Sequence, residues 1–549
     1  MHISKVTIQG FKCFRRRFEL LLNDGLNIIV GNNEAGKSTI LEAIHLTLSG
    51  LYNGRYLRNE LSEYLFNKVI IENFKTDSTV PPEIVIELYF EGDGLAIFEG
   101  DFNSERAKNC GIQLKIALDE RDRDLYNDYI SDNDENVSLP IEYYELTWTT
   151  FAREVITAKN LPFKAALIDS SSNRYQNGSD IYLSHIIRNY LDTNQINGLL
   201  QAHRRLQKTF SKEKVVEEVN KLIEERTKQT DGDKVIKVDV DLSSKNAWEY
   251  NMLACVEDVP FQHIGKGYQA ILKTKLALEH QKATEANIIM IEEPENHLSH
   301  SKLNQLLNDI NEKCEKAKKQ IIISTHNSFV ANKLGLDKLI LLNNKKTIRL
   351  NDLSEETIKF FRTISGYDTL RLILCNSAIL CEGDSDELIV QKCYFKKHKK
   401  LPIQSGIEVI SVGLSFKRYI EIALKLDKKI AVVTDNDKKS EILIEKYKTY
   451  NDDKDCPIKV FFDTDDNYST LEPQLVKHNR WNLINQIVDA KYKKDGANYK
   501  KGEYKCNNED ELLIYMENHK TDCAIKFFDT EIEFEFPAYI EEAINYVEE

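Results

Sequence analysis

Several features are missing from this 549-residue chain, and each absence narrows what it can be. No run of about 18 apolar residues occurs, so no membrane-spanning helix is expected. The opening Met1-His2-Ile3-Ser4-Lys5 lacks the apolar stretch of a secretory signal. The ten cysteines contain no C-x-x-C pair, which removes zinc-knuckle and thioredoxin-type readings. Without a secretion signal, reduced thiols are the default, and a cytoplasmic location is expected. Excess positive charge is missing too. Lys and Arg number 74 against 88 Asp and Glu, a net charge of −14. The surface as a whole is therefore no basic coat for nucleic acid, although a local basic groove remains open, because the field follows the distribution of charge. No internal repeat or low-complexity segment stands out.

What is present reads as a soluble globular chain. Its length predicts two to four domains, and 42% hydrophobic with 30% charged residues is ordinary. The fold class read from the pattern is α/β, with a boundary near 370 that divides the chain into 1–370 and 371–549. Residues 2–9 alternate as a strand. Leu26-Asn27-Ile28-Ile29-Val30 reads as a buried strand, and Lys37 to Leu48 as a helix with Ile40, Leu41, Ile44 and Leu48 near one face. Between them lies Gly31-Asn32-Asn33-Glu34-Ala35-Gly36-Lys37-Ser38, which fits G-x-x-x-x-G-K-[ST] in its required strand–loop–helix context. Backbone N–H groups of Asn32, Asn33 and the residues through Thr39 are placed to wrap phosphate oxygens. Gly31 and Gly36 permit the tight path, and the helix N-terminus favours the anion. Lys37 would reach the β- and γ-phosphates of ATP, and Ser38 would ligate Mg²⁺.

Further pieces follow in order. A helical, charged region over about 181–229 carries Leu199, Leu206, Phe210, Val215, Val219 and Leu222, too short for a long coiled-coil arm and read as an inserted helical arm or dimerisation element. His263-Ile264-Gly265-Lys266-Gly267-Tyr268-Gln269 resembles the signature loop of ABC-type ATPases, with Ile264 or Gly265 in place of the usual Ser. Gly267 and Gln269 are its candidate nucleotide contacts. An apolar run from Asn287 ends in Glu292-Glu293; the first carboxylate would support Mg²⁺ and the second would orient water. Ile321-Ile322-Ile323-Ser324-Thr325-His326 is a strand ending in a histidine placed to sense the γ-phosphate. Singly, His326 or the Glu292-Glu293 pair would be unremarkable structural residues; their joint order after a phosphate loop is the signal. Together they resemble the ATPase head of the ABC branch that contains RecF and SMC proteins, over roughly residues 1–370. The resemblance implies dimerisation, because in that family the signature loop of one subunit caps ATP on the other.

The C-terminal third carries a second, acidic set. Ala378–Cys381 reads as a strand delivering Glu382 at its carboxyl end, where ligands gather in open α/β sheets. Asp386 follows four residues later on a helix's first turn. Lys429–Thr434 is a second strand, delivering Asp435 and Asp437, which alternation along an extended segment would point the same way. Glu472 is a further carboxylate. Such a group repels itself unless a cation neutralises it, and hard oxygen ligands favour Mg²⁺ or Mn²⁺, as two ions in a phosphodiester site. Taken singly, a D-x-D is usually surface charge. Of the basic runs nearby, Lys438-Lys439 is the preferred phosphate-tracking pair.

This set resembles a TOPRIM domain, a Rossmann-like metal fold. The order of ATPase then TOPRIM, with Thr470-Leu471-Glu472-Pro473, is similar to the OLD (overcoming lysogenization defect) family of nucleases. That resemblance implies a divalent-metal-dependent DNA endonuclease governed by an ATPase homodimer or higher homo-oligomer, with Lys520 matching a late lysine of the family. It also implies a role in antiphage defence, alone or beside a helicase-like or retron-type partner. No catalytic tyrosine can be picked out for a topoisomerase, and no zinc module for a primase. An ATP-dependent DNA-binding or sensing scaffold of RecF/SMC type, with an inactive TOPRIM domain, stays open as the alternative.

Overall fold

The computed structural model describes residues 1–548 other than 53–54, 77–79, 133–137, 158–160, 162–164, 170–174, 177–178, 181–190, 228–237, 239–254, 280–287, 318, 344, 351–352, 364–368, 496–497 and 502–503. The chain divides into two compact units, one of residues 1–325 with 342–347 and one of 326–341 with 348–549. Among the described residues no helix is long and apolar enough to cross a membrane, and no disulfide joins the cysteines.

The first unit is built on two sheets. One is antiparallel: β1 (His2–Gln9) lies between β2 (Phe18–Leu21) and β4 (Ile84–Glu91), followed by β5 (Asn109–Leu118) and β6 (Tyr144–Thr150). In β2, Phe18 and Leu20 are buried while Glu19 and Leu21 are exposed, the signature of a sheet with one face covered. The other sheet is parallel where registers are defined: β7 (Ala165–Asp169), β8 (Ile288–Glu292), β9 (Gln320–Thr325) and β3 (Leu26–Gly31), in that order. Strands Leu339–Asn343 and Lys346–Arg349, β10 and β11, come last in its strand order and contain the 342–347 segment of this unit. Every residue of β3 and β9 is buried, which is why these strands read as continuous apolar runs rather than alternating ones. Gln320 stitches the sheets together. Its amide nitrogen donates to the carbonyls of Ile3 and Asn23, each at 2.7 Å, and its oxygen accepts from Ile3 N–H at 2.9 Å.

Helix α1 (Lys37–Ser49) follows the glycine-rich loop and ends at Gly50, whose φ of 68° forms a left-handed cap. The expected helical insertion is a pair, α2 (Thr193–Ser211) and α3 (Lys214–Thr227); residues 181–190 and 228–229 of that expectation lie outside the described residues. Asp192 and Gln195 form a capping box at the start of α2. Helix α4 (Lys266–Glu279) precedes β8, and α5 (His300–Ala317) leads into β9. Asn287, the expected start of the β8 strand, also lies outside the described residues.

The second unit contains a four-stranded parallel sheet in the order β13 (Ile407–Ser411), β12 (Ser377–Cys381), β14 (Lys429–Val433), β15 (Ile458–Phe461). Helices α6 (Asp384–His398), α7 (Phe416–Lys425) and α8 (Ser440–Asn451) make the connections. Parallel strands need such crossovers, because a tight turn cannot reverse direction twice. Then come α9 (Leu471–His478), α10 (Trp481–Val488), strands β16 (Lys491–Asp495), β17 (Asn498–Lys501) and β18 (Tyr504–Lys505), and helices α11 (Glu509–Asn518), α12 (Lys520–Asp529) and α13 (Ala538–Glu548). Tyr539, Ile540, Ala543, Ile544 and Val547 of α13 are buried at helical spacing, and they join one core cluster with Ile379, Ala431 and Val433. The basic run at the end of α6 anchors this helix: Lys396 Nζ donates to the Phe534 carbonyl at 2.8 Å, while Lys397 and His398 both pair with Glu548 at 2.6 and 2.5 Å.

Candidate functional sites

At the nucleotide loop, strand register brings the candidate residues to one sheet edge. Thr325 of β9 is opposite Val30 of β3, and Glu292 of β8 is opposite Ser324. The loop therefore leaves its strand beside the end that carries Glu292-Glu293. Gly36, at φ 109°, occupies a conformation that L side chains rarely adopt, and a Cβ there would lie 2.8 Å from Phe14. A Cβ on Gly31 would lie 2.6 Å from the Leu342 carbonyl oxygen. Asn32, Asn33 and Ser38 are exposed, Thr39 is half-buried and Lys37 is buried. Lys37 Nζ donates to the Gly31 carbonyl at 2.8 Å and the Asn32 carbonyl at 3.1 Å. Burial pushes its pKa below the ordinary lysine value, and the carboxylates of Glu293, Glu295 and Glu292 oppose that shift. Lys37 thus shares its surroundings with the carboxylates that the sequence assigned to Mg²⁺ and water.

Glu293 is held in place. Its backbone sits at φ 43°, its N–H donates to the Ser324 carbonyl at 2.9 Å, and its carboxylate accepts from Asn296 Nδ2 at 2.9 Å. Glu295 accepts from Thr325 Oγ1 at 2.6 Å. Sequence reasoning gave Glu295, Asn296 and Thr325 no role; their signal was adjacency to Glu293 and to the end of the β9 strand. His326 directly follows that strand.

The signature-like loop behaves differently at its two candidate positions. A Cβ on Gly267 would lie 2.3 Å from the His297 carbonyl oxygen, so only glycine permits this approach. Gln269 is turned inward: it is buried, and its Nε2 donates to the Ile264 carbonyl at 2.9 Å, bracing the loop at the start of α4. His263, Gly265, Lys266 and Tyr268 are the residues of this loop that are exposed.

In the second unit, Cys381 of β12 is opposite Val433 of β14, so Glu382 and Thr434-Asp435 emerge side by side at the carboxyl end of adjacent strands. Thr434 Oγ1 donates to Glu382 Oε1, and the Asp435 N–H donates to the same oxygen at 3.3 Å. Asp386 Oδ2 accepts from the Gly383 N–H at 2.9 Å, so this residue caps α6 as well as facing the group. Glu472, on the first turn of α9, is buried, and its Oε2 lies 3.2 Å from Lys520 Nζ at the start of α12.

The electrostatics tie these residues together. Burial, then the charges of Asp386, Glu382 and Glu472, push the Asp435 pKa up to about 8 against the pull of Lys520. Burial raises Asp386 to about 6, with the Gly383 N–H opposing and the charges of Glu382 and Glu472 adding. Burial alone would lower Lys520; the charges of Glu472, Asp435 and Asp386 outweigh it and hold this ammonium above its ordinary value. Glu472 is buried and Glu382, Asp386 and Asp435 are half-buried, a carboxylate group short of positive charge with only oxygen donors. Their chemistry fits a hard divalent cation held by Glu382, Asp386, Asp435 and Glu472. Among the described residues no three His, Cys, Asp or Glu side chains are already gathered in ion-holding geometry. Glu382 spends an oxygen on Thr434 and Asp435, and Asp386 spends one on Gly383.

Asp437 departs from expectation. The alternation argument needs an extended backbone, but Asp437 and Lys438 have φ of 49° and 60°, and the chain turns away. Asp437 is exposed, as are Lys438 and Lys439. The turn is fixed by a residue that sequence reasoning passed over. Asn436 is fully buried, and its Nδ2 donates to the carbonyls of Asp463, Asp465 and Tyr468 at 2.8, 3.1 and 3.4 Å. Its Oδ1 accepts from Lys438 N–H at 2.9 Å. An asparagine flanked by two acids carries no signal of burial in the sequence; only the neighbouring 463–468 loop gives it a role.

A family model described as "AAA ATPase domain" matches residues 1–331, and one described as "Overcoming lysogenization defect protein-like, TOPRIM domain" matches residues 373–437. The chain belongs to the AAA ATPase domain family and has the OLD-family ATPase–TOPRIM architecture. Among curated proteins, it is 34% identical over 125 residues to Structural maintenance of chromosomes protein 6 of Saccharomyces cerevisiae, covering 21% of this chain and 11% of that protein. It is also 34% identical over 111 residues to Chromosome partition protein Smc of Aquifex aeolicus, covering 18% and 10%. The chain thus spans about a tenth of the length of these relatives. Among solved structures, the SMC head domain from Thermotoga maritima matches with TM-score 0.30 and 15% identity, covering 63% of this chain and 97% of that one. By its own strands and helices and the two family models, this is an α/β chain that pairs an ATPase domain with a TOPRIM domain.

Proposed function

We propose that this chain is an ATP-regulated, divalent-metal-dependent DNA endonuclease, with an ATPase body over about 1–370 and a TOPRIM body over 371–549. The observation that carries the reading is the cluster of Glu382, Asp386, Asp435 and Glu472 around Lys520, with Asp435 raised to about 8 and Asp386 to about 6. Mg²⁺ or Mn²⁺, as two ions, would supply the charge neutralisation that in-line displacement at a phosphodiester needs. Glu382 and Asp435 hold that position from adjacent strand ends, Asp386 and Glu472 complete the oxygen donors, and Asp437 stands at the rim. Lys520 acts as a fixed cation toward the scissile phosphate. Exposed Lys438 and Lys439 are the candidates for tracking the flanking backbone.

At the other site, ATP and Mg²⁺ are held by Gly31 to Thr39 and Glu292, with Glu293 orienting water and His326 sensing the γ-phosphate. The signature-like loop, through the exposed residues around Gly267, would cap ATP on a second copy. A homodimer or higher homo-oligomer fits the exposed apolar residues of the α2–α3 pair, where Leu206, Phe210 and Val215 are 69%, 54% and 68% exposed. The cytoplasmic setting and the antiphage role, beside a helicase-like or retron-type partner, belong to the same proposal.

The test incubates the protein with plasmid and Mg²⁺ or Mn²⁺, with and without ATP, beside Asp435→Ala. Cutting by the wild type alone is expected; equal cutting by both would sink the nuclease site. The second reading, a DNA-binding scaffold with an inactive TOPRIM domain, draws on the absence of pre-gathered ligands among the described residues. It requires ATP-dependent DNA retention with no cutting under any metal.

A further inference from the structure

Thr434 is a hydroxyl residue at the end of an apolar strand, and sequence reasoning gave it no role. It directly follows β14 and is buried. Its N–H donates to the Phe461 carbonyl at 3.2 Å, which continues the ladder between β14 and β15 by one residue. A threonine suits that place, because its branched side chain fits a pleated strand while its hydroxyl needs a partner once buried. The partner is Glu382, whose Oε1 accepts from Thr434 Oγ1.

A carboxylate oxygen has two lone pairs. Both on Glu382 Oε1 are taken, one by Thr434 Oγ1 and one by the Asp435 N–H at 3.3 Å. The Glu382 carbonyl is held as well, by the Gly413 N–H at 3.1 Å, so main chain and side chain are both fixed. Glu382 thus presents Oε2 alone. Two neighbours follow the same rule. Asp386 Oδ2 accepts from the Gly383 N–H at 2.9 Å, and Glu472 Oε2 lies 3.2 Å from Lys520 Nζ. Each of these three carboxylates has one oxygen committed inside the protein and one left to give. Such carboxylates discriminate between hard cations. Ca²⁺ is large, takes about 6–8 oxygens and often collects two from one carboxylate. Mg²⁺ is smaller, demands octahedral geometry and completes its shell with water, and Mn²⁺ accepts the same kind of site. Carboxylates restricted to one oxygen each disfavour the larger ion.

We propose that Thr434 is a positioning residue that holds Glu382 to one-oxygen ligation and so sets the preference of this site for Mg²⁺ or Mn²⁺ over Ca²⁺. Thr434 has this role only if the acidic cluster is the metal site proposed above, whether or not DNA is the substrate.

The test is a calorimetric titration of the full chain, without nucleotide, with Mn²⁺ and with Ca²⁺. Heat that Asp435→Ala lacks is assigned to this site. The readout is the ratio of the two dissociation constants, because a merely structural loss weakens both ions alike. Thr434→Val keeps the shape of the side chain and removes the hydroxyl, which frees one lone pair of Oε1. It should move the ratio toward Ca²⁺ by about tenfold, the order expected for one hydrogen bond to a charged group. Thr434→Ser keeps the hydroxyl and should restore the wild-type ratio. An unchanged ratio in Thr434→Val, beside Mn²⁺ binding by the wild type, overturns the role of Thr434 alone, and so does a Thr434→Ser ratio equal to that of Thr434→Val. A wild type that gives no more heat with Mn²⁺ than Asp435→Ala does overturns the metal-site reading itself. Should Thr434→Val melt below the parent, the carboxylate infrared bands of the wild type on adding Mg²⁺ are read instead. The wide band separation of one-oxygen ligation is expected, and narrow two-oxygen bands alone overturn the proposal.

Discussion

In the nucleotide loop an ammonium, Lys37, is buried against backbone carbonyls among the carboxylates of Glu292, Glu293 and Glu295; at the ends of β12 and β14, half-buried carboxylates crowd around another ammonium, Lys520. Both groups sit at the carboxyl edge of a parallel sheet, where backbone leaves the strands and side chains from neighbouring strands converge. The charge logic is inverted. Burial depresses Lys37 and raises Asp435, so each site carries a group whose charged form is disfavoured until an opposite charge arrives. The first awaits an anion and the second a cation. Two sites of one architecture can thus serve opposite ligands, because the sheet edge fixes positions and the residue types fix the sign.

The sharpest way to break this comparison is to remove each central group in turn. Lys37→Ala should lower ATP turnover by two orders of magnitude or more, as expected when a positioned phosphate cation is lost, while leaving metal binding at the second site intact. Asp435→Ala should abolish metal-dependent cutting and leave ATP binding unchanged. Isothermal titration of each variant with nucleotide and with Mn²⁺ checks both; a variant that loses both ligands would dissolve the comparison.

The pH dependence comes next. The folded pKa of Asp435, about 8, lies above the ordinary carboxylate value, so the native state binds the proton more tightly than the unfolded chain does. That contribution to stability is fully present below the unfolded pKa and is lost as pH rises through about 8; Asp386 adds the same sense up to about 6. In chelator, the urea midpoint should fall as pH rises from the ordinary carboxylate range through about 6 and about 8, and Asp435→Asn should flatten the fall. Mn²⁺ should restore the loss most strongly at the alkaline end. A flat wild-type profile in chelator would refute the crowded-carboxylate account.

Asn436→Ala should cost roughly 1–3 kcal/mol, since it removes the buried amide that bonds the carbonyls of Asp463, Asp465 and Tyr468. It should also weaken Mn²⁺ binding by freeing the turn after Asp435. The smallest effect is expected for Asp437→Asn. This exposed residue should change stability by no more than about 0.5 kcal/mol and Mn²⁺ affinity far less than Asp435→Asn does. Equal losses in the two variants would restore the extended D-x-D picture.

Much of this was legible beforehand, and the reason is local. The glycine-rich loop, the apolar strands before Glu292, Glu382 and Asp435, and the helix over Lys37–Ser49 are each specified by residues within a few positions of one another. Buried parallel strands announce themselves as unbroken apolar runs, and the residue at the carboxyl end of such a run is a candidate by position alone. The antiparallel sheet of the first unit was read only in fragments, because its pairing partners are tens of residues apart; Ile8 pairs with Phe18 on one side and Ile86 on the other.

The sequence by itself determined the types and order of the charged groups: a lysine after a glycine loop, acids at strand ends, Glu472 and Lys520 far along the chain. Tertiary structure decided which of them share one electrostatic environment. It set Glu472 beside Lys520 across 48 residues of chain, turned Asp437 outward through the positive φ that follows buried Asn436, and folded Gln269 inward to brace its own loop. The physical reason is that spacing constrains geometry only within one helix or strand. Between elements, proximity depends on packing, and a backbone held by buried hydrogen bonds can override the alternation that its sequence predicts.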